Sequence, residues 1–288
     1  MNAEDFLSIQ KERVNGFLDV YLLSETVKPE SIHKAIRYSV FSGGKRFRAG
    51  LCIAACEAFN GDSERVLPVA SGIELIHTYS LIHDDLPCMD DDDLRRGKPT
   101  LHRVFGENIA VLAGDALNAL AFNLVSLAGD CRLIRVLADA IGTLGMIGGQ
   151  VADVESEGRS DIGGNDVYFI HTRKTAALIR ASMEMGAMTA GAPQDQIYIA
   201  GEFGSLVGLA FQIVDDILDI ESSDEVLGKD VGSDQQQDKA TYPKVFGLDR
   251  SKEIARTTID DARAVLTKLN GEKGILDELA RFVISRVY

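Results

Sequence analysis

The sequence predicts an all-α protein. Three observations carry this: only six prolines occur in 288 residues, apolar–polar alternation of strand type is scarce, and long stretches rich in Ala, Leu, Ile, Glu, Asp and Arg place their apolar residues at three- and four-residue spacing. The length suits one large domain or two ordinary ones. None of the breaks resembles an interdomain linker, so a single domain over residues 1–288 is expected.

In chain order, "SIHKAIRYSVFSG", "LPVASGIELIHTYSLIHDD", "IAVLAGDALNALAFNLVSLA", "RLIRVLADAIGTLGMIGGQVADVE", "TAALIRASMEMGAMTAG" and "QIYIAGEFGSLVGLAFQIVDDILDI" each read as one helix. Several are apolar nearly all round and belong at the centre of a bundle. Breaks fall at "SGGKRFRAG", "FNGDSERVLP", the Asp/Arg stretch after Asp84, "ESEGRSDIGGND" and "ESSDEVLGKDVGSDQQQDKATYP", where Gly, Pro, Ser and Asp supply turn chemistry. The uncharged runs fall short of the ~20 residues that span a bilayer, so no transmembrane helix is expected. The start "MNAEDFLSIQKERVNGF" lacks the basic and apolar regions of a signal peptide, which points to the cytoplasm. Cys52, Cys56, Cys88 and Cys131 lack paired C-x-x-C spacing and read as reduced thiols, the first two as small core residues on one helix face.

Charge narrows the function. Lys and Arg total 30 against 44 Asp and Glu, a formal net charge of −14, which excludes a broad nucleic-acid or anionic-membrane surface. The acid is concentrated: "LIHDDLPCMDDDDLRRGKPT" holds six aspartates, and Asp84 and Asp85 end an apolar helix that Pro87 must break. A helix C-terminus is the negative pole of the macrodipole, so carboxylates there repel both it and one another, unless divalent cations neutralise them. All-oxygen ligands together with substrate phosphates suit magnesium. An EF-hand calcium loop starting at Asp91 fails, because Arg96 falls on its turn glycine and Arg95 on a ligand. A second cluster, "FQIVDDILD", puts Asp215 and Asp219 one turn apart among apolar neighbours.

The sparse basic residues sit in the breaks: Lys45, Arg46 and Arg48, then Arg95 and Arg96, Lys174, Lys229 and Lys239. Together with two aspartate clusters they outline a site for two anionic substrates, one held through metal and one directly. Gly43-Gly44-Lys45 does not match a nucleotide-binding loop. His77 lies seven residues before Asp84, on the same helix face to within about 20°, and can donate to a phosphate there.

These motifs, "GGKRFR", "HTYSLIHDDLPCMDDDDLRRGKPT", "GGQVAD", "HTRKT", "FQIVDDILD" and "GKDVGSDQQQDKATYP", resemble in order and spacing the trans-isoprenyl diphosphate synthases, and within them the bacterial type of farnesyl diphosphate synthase. The resemblance covers nearly the whole chain and implies an isoprenoid-synthase bundle around a central cavity. It implies that an allylic diphosphate, held through Mg2+, ionises to an allylic cation that the double bond of isopentenyl diphosphate attacks, with loss of a proton. By motif, Asp84, Asp90 and Asp215 are the implied metal ligands, supported by Asp85 and Asp219. Arg95, Lys174, Gln212, Lys229 and Lys239 are implied to hold the allylic diphosphate, Lys45, Arg48, His77 and Arg96 the isopentenyl diphosphate, and Thr175 to help stabilise the cation. Ala49 replaces the family's usual proline after "GGKRFR". Tyr79, five residues before Asp84, is implied to be the floor of the product tunnel, which points to farnesyl diphosphate. The alternatives are a geranylgeranyl diphosphate synthase, or a catalytically inactive regulatory subunit. A terpene cyclase is disfavoured because "VDDILD" is not the Asn/Ser/Glu motif such enzymes carry. A homodimer is also implied.

Overall fold

A computed structural model describes residues 1–221 and 239–287. Among these residues the fold is helical apart from one two-residue ribbon. The helices are α1 (Ala3–Tyr21), α2 (Glu30–Val40), α3 (Phe47–Ala58), α4 (Ser63–Asp84), α5 (Leu101–Phe105), α6 (Glu107–Ser126), α7 (Cys131–Ile141) and α8 (Met146–Ser156). They continue with α9 (Gly164–His171), a π-helical turn (Thr172–Ala176), α10 (Ala177–Thr189), α11 (Gln194–Glu221), α12 (Tyr242–Phe246), α13 (Leu248–Leu266) and α14 (Gly274–Ile284). Strands β1 (Leu94–Arg95) and β2 (Lys98–Pro99) pair antiparallel between α4 and α5.

Of the helices that are apolar on most sides, α4 and α11 lie innermost, as expected, whereas α6 leaves Val111 and Leu112 exposed. α4 buries Val66, Val69, Ile73, Leu75 and Ile76 and packs on α6 and α3, while α11 buries Phe203, Val207, Ile213 and Ile217 against α10 and α13. Burying such side chains is worth roughly 1.5–3 kcal/mol each. Helices with a polar side, such as α7 and α13, turn only one stripe inward.

Three expectations change. The segment "RLIRVLADAIGTLGMIGGQVADVE" is two helices, because Gly142 and Gly145 leave helical geometry and a Cβ on Gly145 would sit 2.1 Å from the Ala140 carbonyl oxygen. The break at "FNGDSERVLP" is confined to residues 59–62: Asp62 accepts a hydrogen bond from the Glu64 amide at 2.8 Å and starts α4, which runs on through Pro68. By length and apolar composition α6 and α11 could each cross a membrane, which a count of uncharged residues did not foresee; both pack against other helices of the bundle.

Close helix contact depends on glycine at the α3–α10 crossing. A Cβ on Gly186 would lie 2.1 Å from the Cys52 carbonyl oxygen, so Gly186→Ala is expected to force these helices apart and cost about 1–3 kcal/mol in urea unfolding.

Candidate active site

The site is assembled by the way α4 ends. Asp85 caps the helix, its amide donating to the Leu81 carbonyl at 3.0 Å, and the chain turns at Pro87. The Asp90 amide then returns to the Asp84 carbonyl at 2.8 Å. A helix terminus leaves such carbonyls without partners, and here that orphan draws Asp90 back beside Asp84. The chain continues into the ribbon, whose turn residues Arg96 and Gly97 have φ of 56° and 73°, the left-handed pair that a tight hairpin requires. This hairpin directs two arginines differently. Arg95 forks onto Asp85 and reaches Asp92 at 2.8 Å. Arg96 donates to the Gly43 carbonyl at 2.6 Å. Its guanidinium would lie 2.6 Å from a Cβ on Gly44, so only glycine fits there, at φ 98°.

On the opposite side, Lys174 and Thr175 lie on the π-helical turn, a local widening common at functional sites. Gly149 admits that turn against α8: a Cβ there would meet the Lys174 amide at 2.1 Å. Lys174 pairs with Asp153 of α8 at 2.6 Å. Thr175 donates to Gln212 at 2.7 Å, and Gln212 donates to buried Asp216 at 3.0 Å.

Between these walls lies a cavity of about 700 Å³. It brings together Asp84, Asp90, Asp215, Arg48, His77, Arg95, Arg96, Lys174, Thr175, Gln212 and Lys239 from the residues expected by sequence, and Tyr79 lines it too. Lys45 is not among the lining residues; its ammonium sits 4.6 Å from the centre of the Phe282 ring. Asp85 is turned to Arg95 behind the cavity wall, and Asp219 is buried in α11. Lys229 lies outside the described residues.

Reasoning from sequence missed the partners. Lys239 pairs with Asp90 at 3.0 Å and Arg286 with Asp215 at 2.7 Å. Asp153 was visible only as the last letter of "GGQVAD", and Arg286 had no motif. Asp216, beside Asp215, is an internal hub: His171 lies 2.7 Å from it, and the Tyr242 amide donates to it at 3.0 Å. Its direct neighbour faces the cavity because successive helical residues point about 100° apart.

Burial pushes the carboxyl groups of Asp84 and Asp85 up to about 6; neighbouring Lys174 and Arg95 respectively oppose the shift. Burial would also lower Lys174, but Asp153, Asp84 and Asp90 hold its ammonium charged, above its ordinary range. Desolvation drives His77 well below the usual imidazole value, and the arginines around it add to this, so it is neutral and can donate from one ring nitrogen. Among the described residues no group of three His, Cys, Asp or Glu is close enough to hold an ion unaided. The all-carboxylate donor set nevertheless fits a hard divalent cation that takes its remaining ligands from water or phosphate.

In metal-free protein the charging of Asp84 opposes folding. Its raised value means the native state binds more protons than the unfolded state between pH ~4 and ~6, so this contribution weakens stability as pH rises through that window. Asp84→Asn is therefore expected to raise Tm by about 2–4 °C at pH 7 without divalent cations, and to leave it nearly unchanged at pH 4. Thermal unfolding at both pH values checks this.

Comparison with known proteins agrees with the geometry. A family profile described as "Polyprenyl synthetase" matches residues 29–273. A chloroplastic geranylgeranyl pyrophosphate synthase of Catharanthus roseus is 49% identical over 93% of this chain and 76% of that protein. A dimethylallyltranstransferase of Fischerella ambigua is 42% identical over 100% of this chain and 84% of its own. Among solved structures, a Helicobacter pylori geranyltransferase complexed with magnesium and isoprenyl diphosphate superposes with a TM-score of 0.86 at 34% identity, covering 98% of this chain and 96% of that one. An apo FPP/GFPP synthase from Zymomonas mobilis does so at 0.86 and 35%, covering 98% and 99%. Helical architecture, motif order and these matches agree, and the chain belongs to the polyprenyl synthetase family of prenyltransferases.

Proposed function

We propose that this protein condenses isopentenyl diphosphate with an allylic diphosphate and ends at geranylgeranyl diphosphate. The observation that carries the condensation is the convergence of Asp84, Asp90 and Asp215 on one cavity with Arg95, Lys174, Gln212 and Lys239 around them. These groups receive the allylic diphosphate. Divalent cations bound at the aspartates would draw negative charge off the departing diphosphate. Lys174 and Arg95 add fixed positive charge beside it, in a site where burial strengthens such interactions. Thr175, oriented by Gln212, turns its hydroxyl oxygen towards the developing allylic cation. Arg48, His77 and Arg96 hold the second diphosphate on the other wall. The apolar lining, including Leu178, Met146 and Phe211, excludes water from the cation.

The twenty-carbon product is supported by relatives of 44–50% identity named geranylgeranyl pyrophosphate synthases. One observation favours fifteen carbons instead. Tyr79, only 7% exposed, lines the cavity and packs edge-on against His83, which keeps its ring fixed as a barrier. Exposed apolar residues on α6 (Val111 and Leu112) and α8 (Ile147, Val151 and Val154) support a homodimer through these helices.

Incubation with isopentenyl diphosphate and dimethylallyl, geranyl or farnesyl diphosphate, with and without Mg2+, followed by chromatography of the dephosphorylated products, tests the reading. Geranylgeraniol formed only with metal is the expected result, farnesol as the end product moves the assignment to the second reading, and no product with any starter refutes both. Tyr79→Ala is expected to shift the product mixture to longer chains. Asp84→Asn and Asp215→Asn are each expected to cut kcat by about 10²–10³-fold.

A further inference from the structure

One buried charge takes no part in this mechanism. Glu74, in the middle of α4, has its side chain 3% exposed and lies beneath the basic wall of the cavity. Its carboxylate is 3.6 Å from the Arg46 guanidinium, itself only 2% exposed. Glu74 Oε1 has no hydrogen-bond partner among the described residues, an expensive state for a buried carboxylate. Something must repay it, and the surroundings name the candidate. Arg46, Arg48 and Arg96 crowd the same region, and burial acts against the charge of Arg48 and Arg96, with Glu74 the leading group that supports it in both.

These arginines do not need Glu74 for their placement. Arg46 donates to the Asn15 side-chain oxygen at 3.1 and 2.9 Å and to the Val40 carbonyl. Arg96 is held by the Gly43 carbonyl, and Arg48 lies between His77 at 3.4 Å and the Phe211 ring. Glu74 therefore acts on the cluster through charge, at a point set back from the cavity it does not line. We propose that Glu74 is a built-in counter-ion for the Arg46, Arg48 and Arg96 cluster, a positioning residue that keeps the empty site folded and whose neutralising role the diphosphate of isopentenyl diphosphate takes over on binding. The inference rests on assigning Arg48, His77 and Arg96 to that substrate. It implies a trade: the fixed anion stabilises the empty enzyme and weakens its grip on the incoming one.

Glu74→Gln keeps the shape and removes the charge. Without ligand its Tm is expected to fall by several degrees, while calorimetric titration with isopentenyl diphosphate in the absence of metal shows affinity increased about threefold to tenfold. The ligand-induced rise in Tm is correspondingly larger than in wild type. A purely structural loss would lower Tm and leave affinity unchanged or weaker, and that result overturns the proposal. Should the variant not fold alone, refolding in excess inorganic pyrophosphate is expected to recover it, and failure to recover counts against the counter-ion role. The double variant Arg46→Met/Glu74→Gln restores the charge balance and is expected to return affinity towards wild type. Arg96→Gln separates the two levels. If it binds isopentenyl diphosphate as well as wild type does, the substrate assignment fails and takes the inference with it. If it weakens binding while Glu74→Gln changes nothing, the counter-ion role alone fails.

Discussion

The structure turns on placing carboxylates at the buried, negative end of an apolar helix. Asp84 and Asp85 close α4 where its dipole already disfavours them, and burial raises both towards neutrality. The features around them answer that cost. Arg95 forks onto Asp85, the π-helical turn brings Lys174 near Asp84, and the Asp90 amide ties the following loop back onto the helix end. The same economy of paired charge recurs across the cavity, with Lys174 on Asp153, Lys239 on Asp90 and Arg286 on Asp215. Each of these cations is thus paired with one of the protein's own anions. On the proposed function, substrate binding would be an exchange of partners that keeps charges paired and avoids exposing an uncompensated buried ion.

Much of this was legible in the sequence because the constraints are local. Three- and four-residue spacing located α4, α6 and α11, Pro87 located the end of α4, and the improbable run of aspartates located one wall of the site. The split between α7 and α8 was not legible, because Gly142 and Gly145 read as tolerable inside a helix until the backbone contacts around them are known. The ribbon at Leu94–Pro99 was missed because two-residue strands have no periodicity to detect. What pairing each charge makes was also invisible. Asp153 and Lys174 are 21 residues apart and Asp215 and Arg286 are 71 apart, so their meeting is a property of packing. Asp216 shows the same limit: adjacent to Asp215, it serves an internal network with His171 and Gln212.

The proposed limit on product length involves a different part of the molecule. On the proposed function the charged end of the cavity would receive the diphosphates, and the growing chain would run towards the apolar end, where Tyr79 packs edge-on against His83. His83 is in turn pressed against α6, where a Cβ on Gly114 would meet its ring at 2.1 Å. This part of the cavity wall is therefore braced by the helix that also carries exposed Val111 and Leu112. Overall identity to geranylgeranyl pyrophosphate synthases and the bulk of Tyr79 in the cavity wall thus point to different products.

The central claim is that the two substrates are held by different physics, one through cations on Asp84, Asp90 and Asp215 and the other directly by arginines. Calorimetric titration of the wild-type protein with a non-ionisable thiolo analogue of geranyl diphosphate, with and without Mg2+, and separately with isopentenyl diphosphate, tests it most directly. The account predicts that the allylic analogue binds only with metal and that isopentenyl diphosphate binds equally well without it. Metal-independent binding of the allylic analogue, with an affinity that Mg2+ leaves unchanged, would contradict the account.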